Sequence, residues 1–68
     1  MASIYEKFGN KVKQLRRKTG MSQEELAAKA KLDLTSINEI ENGTRNPSLK
    51  TINKLSSGLK TPIKELFD

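Results

Sequence analysis

The sequence contains no cysteine and no histidine, and its aromatic residues are one tyrosine and two phenylalanines. Without cysteine the chain forms neither a disulfide nor a thiolate metal site. Without histidine it lacks the side chain that most often serves as a general base or metal ligand. A glycine-rich phosphate loop and a paired-carboxylate motif are also missing. We therefore predict that the protein is not an enzyme and uses no metal, other cofactor or small-molecule ligand.

Long apolar runs are absent as well. No segment approaches the roughly 18 consecutive apolar residues that a membrane span requires, and the N-terminus lacks the apolar core of a signal peptide. We therefore expect a cytoplasmic protein with no membrane partner. A chain of 68 residues has room for one domain, and a composition that is 34% hydrophobic and 31% charged suits a compact fold.

Basic residues outnumber acidic ones, with 13 lysines and arginines against 8 aspartates and glutamates, so the net charge is +5. This excess points to a polyanionic partner, with nucleic acid as the first candidate and an anionic membrane surface as the second. Many small domains are basic only for solubility, so charge alone leaves the partner open.

Helix start and stop signals divide the chain into five short helical segments. Five residues have the type and position of helix N-caps, two of them in capping boxes: Ser3 with Glu6, Ser22 with Glu25, then Asp33, Ser48 and Thr61 before Pro62. Gly20 ends the first segment and Gly43 the third. No stretch alternates apolar and polar residues as a strand would. The sequence predicts an all-α fold, a compact bundle of five short helices forming a single domain over residues 1–68.

The most specific pattern lies between Gln23 and Asn42. Two helices of under about ten residues, too short to be stable alone, are joined by a short turn around Leu32. The small side chain of Ala27 lets the helices cross closely, and their apolar inner faces contain Leu26, Ala30, Ile37 and Ile40. This arrangement is a helix-turn-helix, whose second helix can lie in the major groove of DNA.

Nearly the whole chain resembles the phage repressor and Cro type of helix-turn-helix domain, the lambda repressor-like fold. The resemblance is carried by Met21-Ser22-Gln23-Glu24-Glu25-Leu26-Ala27, Ile37-Asn38-Glu39-Ile40-Glu41-Asn42-Gly43, Arg45-Asn46-Pro47-Ser48-Leu49-Lys50-Thr51-Ile52 and Lys64-Glu65-Leu66-Phe67. In size the chain is most similar to stand-alone members, including the controller proteins of restriction–modification systems. The resemblance implies a sequence-specific DNA-binding transcriptional regulator with its third helix in the major groove.

Individual residues match the DNA-contacting positions of that family. The base-reading positions on the third helix are Leu34, Thr35, Ser36, Asn38 and Glu39, all expected to be exposed. We expect contacts to the DNA backbone from Gln23, Arg45, Asn46, Ser48 and Lys50. Arg16 and Glu41 match a pair that in many relatives forms an ion pair between the first and third helices.

The sequence also departs from the family pattern. The third helix contains no lysine or arginine, so the usual contact from arginine to guanine is unavailable from this helix. We expect Asn38 to pair with adenine and Glu39 to accept from a cytosine amino group, although both residues also suit a plain solvated surface. Lys31 and Lys60 stand where most members carry a left-handed glycine, and we expect the chain to tolerate the strain.

One such domain covers only a few base pairs, so we expect a homodimer on a palindromic operator, with half-sites about 34 Å apart. Ile63, Leu66 and Phe67 form the predicted dimer interface, although all three also suit a role in closing the core. A second function stays open: a protein-interaction module or antitoxin-like adaptor of the same fold. The acidic third helix favours that alternative.

Overall fold

The structure, a computed structural model, describes residues 2–67. Four α-helices are followed by a 3-10 helix: α1 Ile4–Lys18, α2 Gln23–Ala30, α3 Leu34–Asn42, α4 Leu49–Leu59 and the 3-10 helix Ile63–Phe67. The all-helical class is confirmed. The fifth predicted short helix is a 3-10 helix of five residues. In the described part of the chain, no helix is long and apolar enough to cross a membrane.

Each α-helix begins at an N-cap that the sequence predicted. The cap side chain accepts a hydrogen bond from the backbone amide three residues later in every case: Ser3 at 3.1 Å, Ser22 at 3.0 Å, Asp33 at 2.6 Å and Ser48 at 3.1 Å. Glu6 and Glu25 complete the two capping boxes. Hydrogen bonds from the Ser22 backbone and hydroxyl hold the pKa of Glu25 below its ordinary value. Local sequence signals therefore set where these helices start.

Two helices end at lysines with left-handed backbone conformations, Lys31 with φ 57° and Lys60 with φ 53°. The expectation that the chain tolerates this strain is confirmed. In both places the next residue donates to a carbonyl five positions back, from Leu32 to Ala27 at 2.9 Å and from Thr61 to Ser56 at 3.0 Å. These bonds satisfy carbonyls that the helix end would otherwise leave unpaired, which offsets part of the strain.

A single apolar core lies between the helices. Its buried residues are Phe8, Val12, Leu26, Ala27, Ala30, Ile37, Ile40, Leu55, Leu59 and Leu66. The helix-turn-helix therefore supplies half of the core, through the inner faces that the sequence predicted, and Leu32 packs against it from the turn. Leu49, by contrast, is 76% exposed at the first position of α4.

Helices α1 and α3 approach each other at Gly9. A Cβ atom at this position would lie 2.1 Å from the carbonyl oxygen of Ile40, far inside contact distance. Gly9 therefore marks a site of close packing, where even a methyl group would not fit. This contact fixes the back of α3 against the body of the domain.

Candidate nucleic-acid interface

The face of α3 that points away from the core carries four of the five predicted base-reading residues. Leu34, Thr35 and Asn38 are exposed and Glu39 is half-buried. The opposite face contains Ile37, Ile40 and Glu41, all fully or almost fully buried. Because the inner face is fixed by packing, the outer face presents its side chains to solvent from a rigid support.

Ser36 is the fifth predicted base reader, and the expectation that it is exposed is wrong. Only 7% of the residue is accessible. Its hydroxyl accepts a hydrogen bond from Nη1 of Arg45 at 2.7 Å, and its backbone amide donates to the Asp33 carboxylate that caps α3. Ser36 is thus covered by the arginine that it holds.

Arg45 lies in the loop between α3 and α4, and its side chain folds back along α3. Besides the bond to Ser36, Nη1 donates to Oε1 of Glu39 at 3.1 Å, forming an ion pair whose two side chains are 43% and 46% exposed. Hydrogen bonds from Ser36, and then the charge of Arg45, hold the pKa of Asp33 below its ordinary value. A loop residue therefore supplies the positive charge that α3 lacks.

The inner face of α3 is joined to α1 by the Arg16–Glu41 ion pair. Nε of Arg16 lies 2.6 Å from Oε2 of Glu41, and Nη2 lies 3.0 Å from Oε1. The third nitrogen, Nη1, donates to the carbonyl oxygen of Met21 at 2.7 Å. The side chains are 10% and 0% exposed, and the hydrogen bond to Glu41 raises the pKa of Arg16. Every nitrogen of this guanidinium is therefore engaged within the domain.

Gln23, the first residue of α2, connects this buried pair to the outer face. Its Nε2 donates to Oε1 of Glu41 at 3.0 Å. On its other side, Oε1 of Gln23 lies 3.5 Å from Nδ2 of Asn38, at the limit of a hydrogen bond. Asn38 in turn accepts from Asn42 at 3.1 Å. The predicted base reader Asn38 is thus held from two sides by side-chain amides.

The remaining residues assigned to the DNA backbone lie after α3. Asn46, Ser48 and Lys50 are all exposed. The Ser48 hydroxyl caps the amide of Thr51, so the amides of Leu49 and Lys50 are left without partners in the helix. The first turn of α4 therefore offers backbone donors beside a lysine, a combination suited to a phosphate.

The acidic character of α3 is largely compensated by its neighbours. Glu41 is paired with Arg16 and Glu39 with Arg45, while Arg45 also acts on Asp33. Sequence reasoning missed this compensation because Arg45 is six residues from Glu39 and outside the helix. The one available signal was an arginine in a short loop directly after an acidic helix.

The predicted dimer residues occupy different environments. Leu66 is 1% exposed and belongs to the core, so it follows the alternative interpretation and is not available to a partner. Ile63 and Phe67 are 37% and 54% exposed. The Phe67 ring packs against Phe8, with centroids 5.2 Å apart, and its outer surface adjoins the exposed Ile4. An apolar patch therefore remains where the chain ends.

Comparisons with known proteins agree with this geometry. Residues 12–66 match the helix-turn-helix family. The chain is 50% identical over 68 residues to control protein C.MunI of a Mycoplasma species, covering 98% of this chain and 92% of that protein. It is 50% identical over 62 residues to control protein C.BamHI of Bacillus amyloliquefaciens, covering 90% and 76%.

Among solved structures, the fold is similar to the restriction–modification controller protein C.AhdI from Aeromonas hydrophila. The TM-score is 0.91 at 41% identity, and the match covers 93% of this chain and 96% of that one. The family match extends from α1 to the 3-10 helix and so includes the whole candidate interface. The chain belongs to the helix-turn-helix family.

Proposed function

We propose that the protein is a sequence-specific DNA-binding transcriptional regulator that controls restriction–modification genes. The observation that carries the proposal is the outer face of α3, which presents exposed polar side chains from a helix fixed by packing and a buried ion pair. The similarity to control proteins, which extends along nearly the full chain, supports the choice of target genes. Such a regulator works in the compartment that contains the DNA, in keeping with the cytoplasmic location expected from the sequence. It catalyses no reaction.

In this proposal α3 lies in the major groove. Asn38 has the donor and acceptor pair that matches the edge of adenine. Leu34 and the methyl group of Thr35 supply apolar contact for a thymine methyl group. Asn38 donates to Gln23 and accepts from Asn42, and these side-chain hydrogen bonds orient it before DNA arrives, which reduces the entropy lost on binding.

Phosphate contacts fix the register of α3 along the groove. We assign them to Gln23 at the start of α2, and to Asn46, Ser48 and Lys50 around the start of α4. Helix N-termini favour anions through free amides and the helix dipole. These contacts contribute affinity for any sequence, and the outer face of α3 contributes the preference among sequences.

The protein acts as a homodimer on a palindromic operator. Two copies related by a two-fold axis place their α3 helices about 34 Å apart, one turn of DNA. Ile63 and Phe67 are the exposed apolar residues nearest the end of the chain and are assigned to the contact between copies.

The proposal is tested by selection from a randomised pool of duplex DNA, followed by titration of the selected duplex at several salt concentrations. We expect a palindromic motif, and log affinity that falls by about 0.9 per phosphate contact for each unit of log salt. Thr35→Ala should change the preferred base at one position. Ser57→Ala, an exposed substitution at the far end of α4, is the matched control and should leave the motif unchanged.

The proposal would be contradicted if the pool yielded no motif, or if the affinity for the selected duplex did not change with salt concentration. The alternative of a protein-interaction module or antitoxin-like adaptor would then be the better interpretation. The acidic third helix, which favoured that alternative, now supports it less, because Arg16 and Arg45 compensate the acidic groups of α3.

A further inference from the structure

The guanidinium of Arg45 has one side bound to the protein and one side open. Nη1 donates to both Ser36 and Glu39, which uses its two hydrogens. Within residues 2–67, Nε and Nη2 of Arg45 donate to no acceptor, and 43% of the side chain is exposed. The edge formed by Nε and Nη2 is thus available to a ligand.

Such an edge donates two parallel hydrogen bonds, and DNA offers two acceptors of that shape. One is the pair of oxygens on a phosphate, and the other is O6 and N7 of guanine in the major groove. Only the second is uncharged. A guanine, which has no net charge, therefore meets much weaker repulsion from a neighbouring carboxylate than a phosphate does.

The position of Glu39 decides between the two acceptors. Its Oε1 lies 3.1 Å from the same guanidinium, so a phosphate bound to Arg45 would come close to a second negative charge. Repulsion of this kind opposes the binding of a full phosphate charge much more than that of the partly negative edge of a guanine. Although Arg45 lies in the loop, Ser36 and Glu39 hold its side chain against α3, the helix that enters the groove.

We propose that Arg45 reads a guanine in the major groove, with Ser36 and Glu39 as the residues that position it. The inference rests on the proposed function and revises two assignments made from the sequence. Arg45 is assigned to a base contact in place of a phosphate contact. Glu39 acts through Arg45 rather than as a direct reader of cytosine. The guanine contact that α3 cannot supply from its own residues is supplied by the following loop.

The test uses the duplex selected by the wild-type protein, with each base pair of one half-site replaced in turn. For the wild type, replacing one particular G·C pair should lower affinity by about 5- to 150-fold, the range for a bidentate base contact. Arg45→Ala should bind all four base pairs at that position about equally, and keep its preferences elsewhere.

Arg45→Lys separates base reading from charge. Lysine retains the positive charge but lacks the planar fork. We expect a weakened preference for guanine at that position, because a flexible ammonium can still donate to O6 or N7 but without the planar fork, while the salt dependence stays close to that of the wild type. Arg17→Ala is the matched control, because it removes an exposed arginine from α1, and it should keep the guanine preference.

The positioning role has its own readout. Glu39→Ala should reduce discrimination at the same guanine position, and should have no further effect on discrimination when Arg45 is already alanine. A direct reader of cytosine would instead change preference in both backgrounds, which would overturn the role given to Glu39.

Two results would overturn the assignment of Arg45. If Arg45→Ala and Arg45→Lys weaken binding to every duplex alike and keep the guanine preference, Arg45 contacts a phosphate, and the regulator proposal stands without this inference. If the wild type selects no motif at all, the proposed function and the inference fail together. Thermal unfolding of each variant checks that the domain is folded in the binding experiment.

Discussion

The two faces of α3 each carry an arginine–glutamate pair, and the pairs differ in almost every respect. On the inner face, Arg16 and Glu41 are linked by two hydrogen bonds of 2.6 Å and 3.0 Å and are shielded from solvent. On the outer face, Arg45 and Glu39 share one bond of 3.1 Å and are close to half exposed. The same two residue types thus occur in opposite environments, with their glutamates only two positions apart on α3.

The difference lies in how many donors each arginine has left. Arg16 engages all three of its nitrogens within the domain, on Glu41 and on the Met21 carbonyl, and only 10% of its side chain is exposed, so it presents no open edge to a ligand. Arg45 commits one nitrogen and keeps a full edge outward. A buried guanidinium with every nitrogen engaged holds helices together, whereas an exposed one with a free edge is oriented for recognition.

Arg16→Ala is expected to have the largest effect on the free energy of unfolding, because it removes one partner of the buried inner pair. Removing one partner leaves the Glu41 carboxylate buried and without its main donor, a loss of about 3–5 kcal/mol in similar cases. A domain of this length has a total unfolding free energy of roughly 3–10 kcal/mol. Urea denaturation should therefore show a variant that is largely unfolded or only marginally folded.

A double replacement provides the control for that experiment. Arg16→Met with Glu41→Leu removes both charges while keeping apolar bulk, and should be more stable than either single variant. If Arg16→Ala instead lowers the unfolding free energy by less than about 1 kcal/mol, the inner pair behaves like an exposed one. The contrast between the two faces would then be lost.

The next largest effect tests the packing behind the inner pair. Gly9→Ala would place a methyl group 2.1 Å from the Ile40 carbonyl oxygen, so α1 and α3 must separate. We expect a loss of about 1–3 kcal/mol in unfolding free energy, as for overpacked cores. Gly20→Ala is the matched control: its Cβ would have no atom within 4 Å, so only its left-handed backbone is strained. A smaller loss for Gly9 than for Gly20 would contradict this interpretation.

The features predicted correctly from the sequence are those with local causes. Caps at Ser3, Ser22, Asp33 and Ser48 depend on residues three positions apart in the chain. The resemblance to a known family also identified the Arg16–Glu41 pair, which joins residues 25 positions apart.

The features missed from the sequence depend on how a loop or a chain end folds back. Ser36 lies four residues before Ile40, at the edge of the buried face, where periodicity does not decide exposure, and the loop after α3 returns Arg45 over its hydroxyl. Leu66 and Phe67 are adjacent, yet one enters the core and the other lies on the surface. Neither outcome follows from periodicity, because the direction of each segment is set by tertiary contacts.

A smaller effect should separate the two pairs by their coupling. A double-mutant cycle with Arg45→Ala and Glu39→Ala should give a coupling free energy of about 0–1 kcal/mol, as for exposed ion pairs. It should fall further at high salt, because solvent-exposed charges are screened. The corresponding cycle for Arg16 and Glu41 should give a larger coupling with little salt dependence. Equal coupling in the two cycles, measured by urea denaturation, would remove the distinction between the faces.

The smallest effect on stability concerns Asp33, which caps the start of α3. Hydrogen bonds from Ser36 and the charge of Arg45 lower the pKa of its carboxyl group in the folded state. A lowered folded pKa means that the ionised form stabilises the fold. This contribution is fully present above the unfolded value of about 3.8 and is lost as the pH falls through the folded value.

Asp33→Asn isolates that charge, because asparagine also caps helices well. The stability difference between wild type and variant should be constant from neutral pH down to about pH 5, and should shrink at lower pH as the carboxylate is protonated. In an Arg45→Ala background the same difference should be smaller, since one cause of the shift is removed. If the stability difference is the same with and without Arg45, the guanidinium of Arg45 does not act on the start of α3. Glu39 is then the only acidic group that Arg45 compensates.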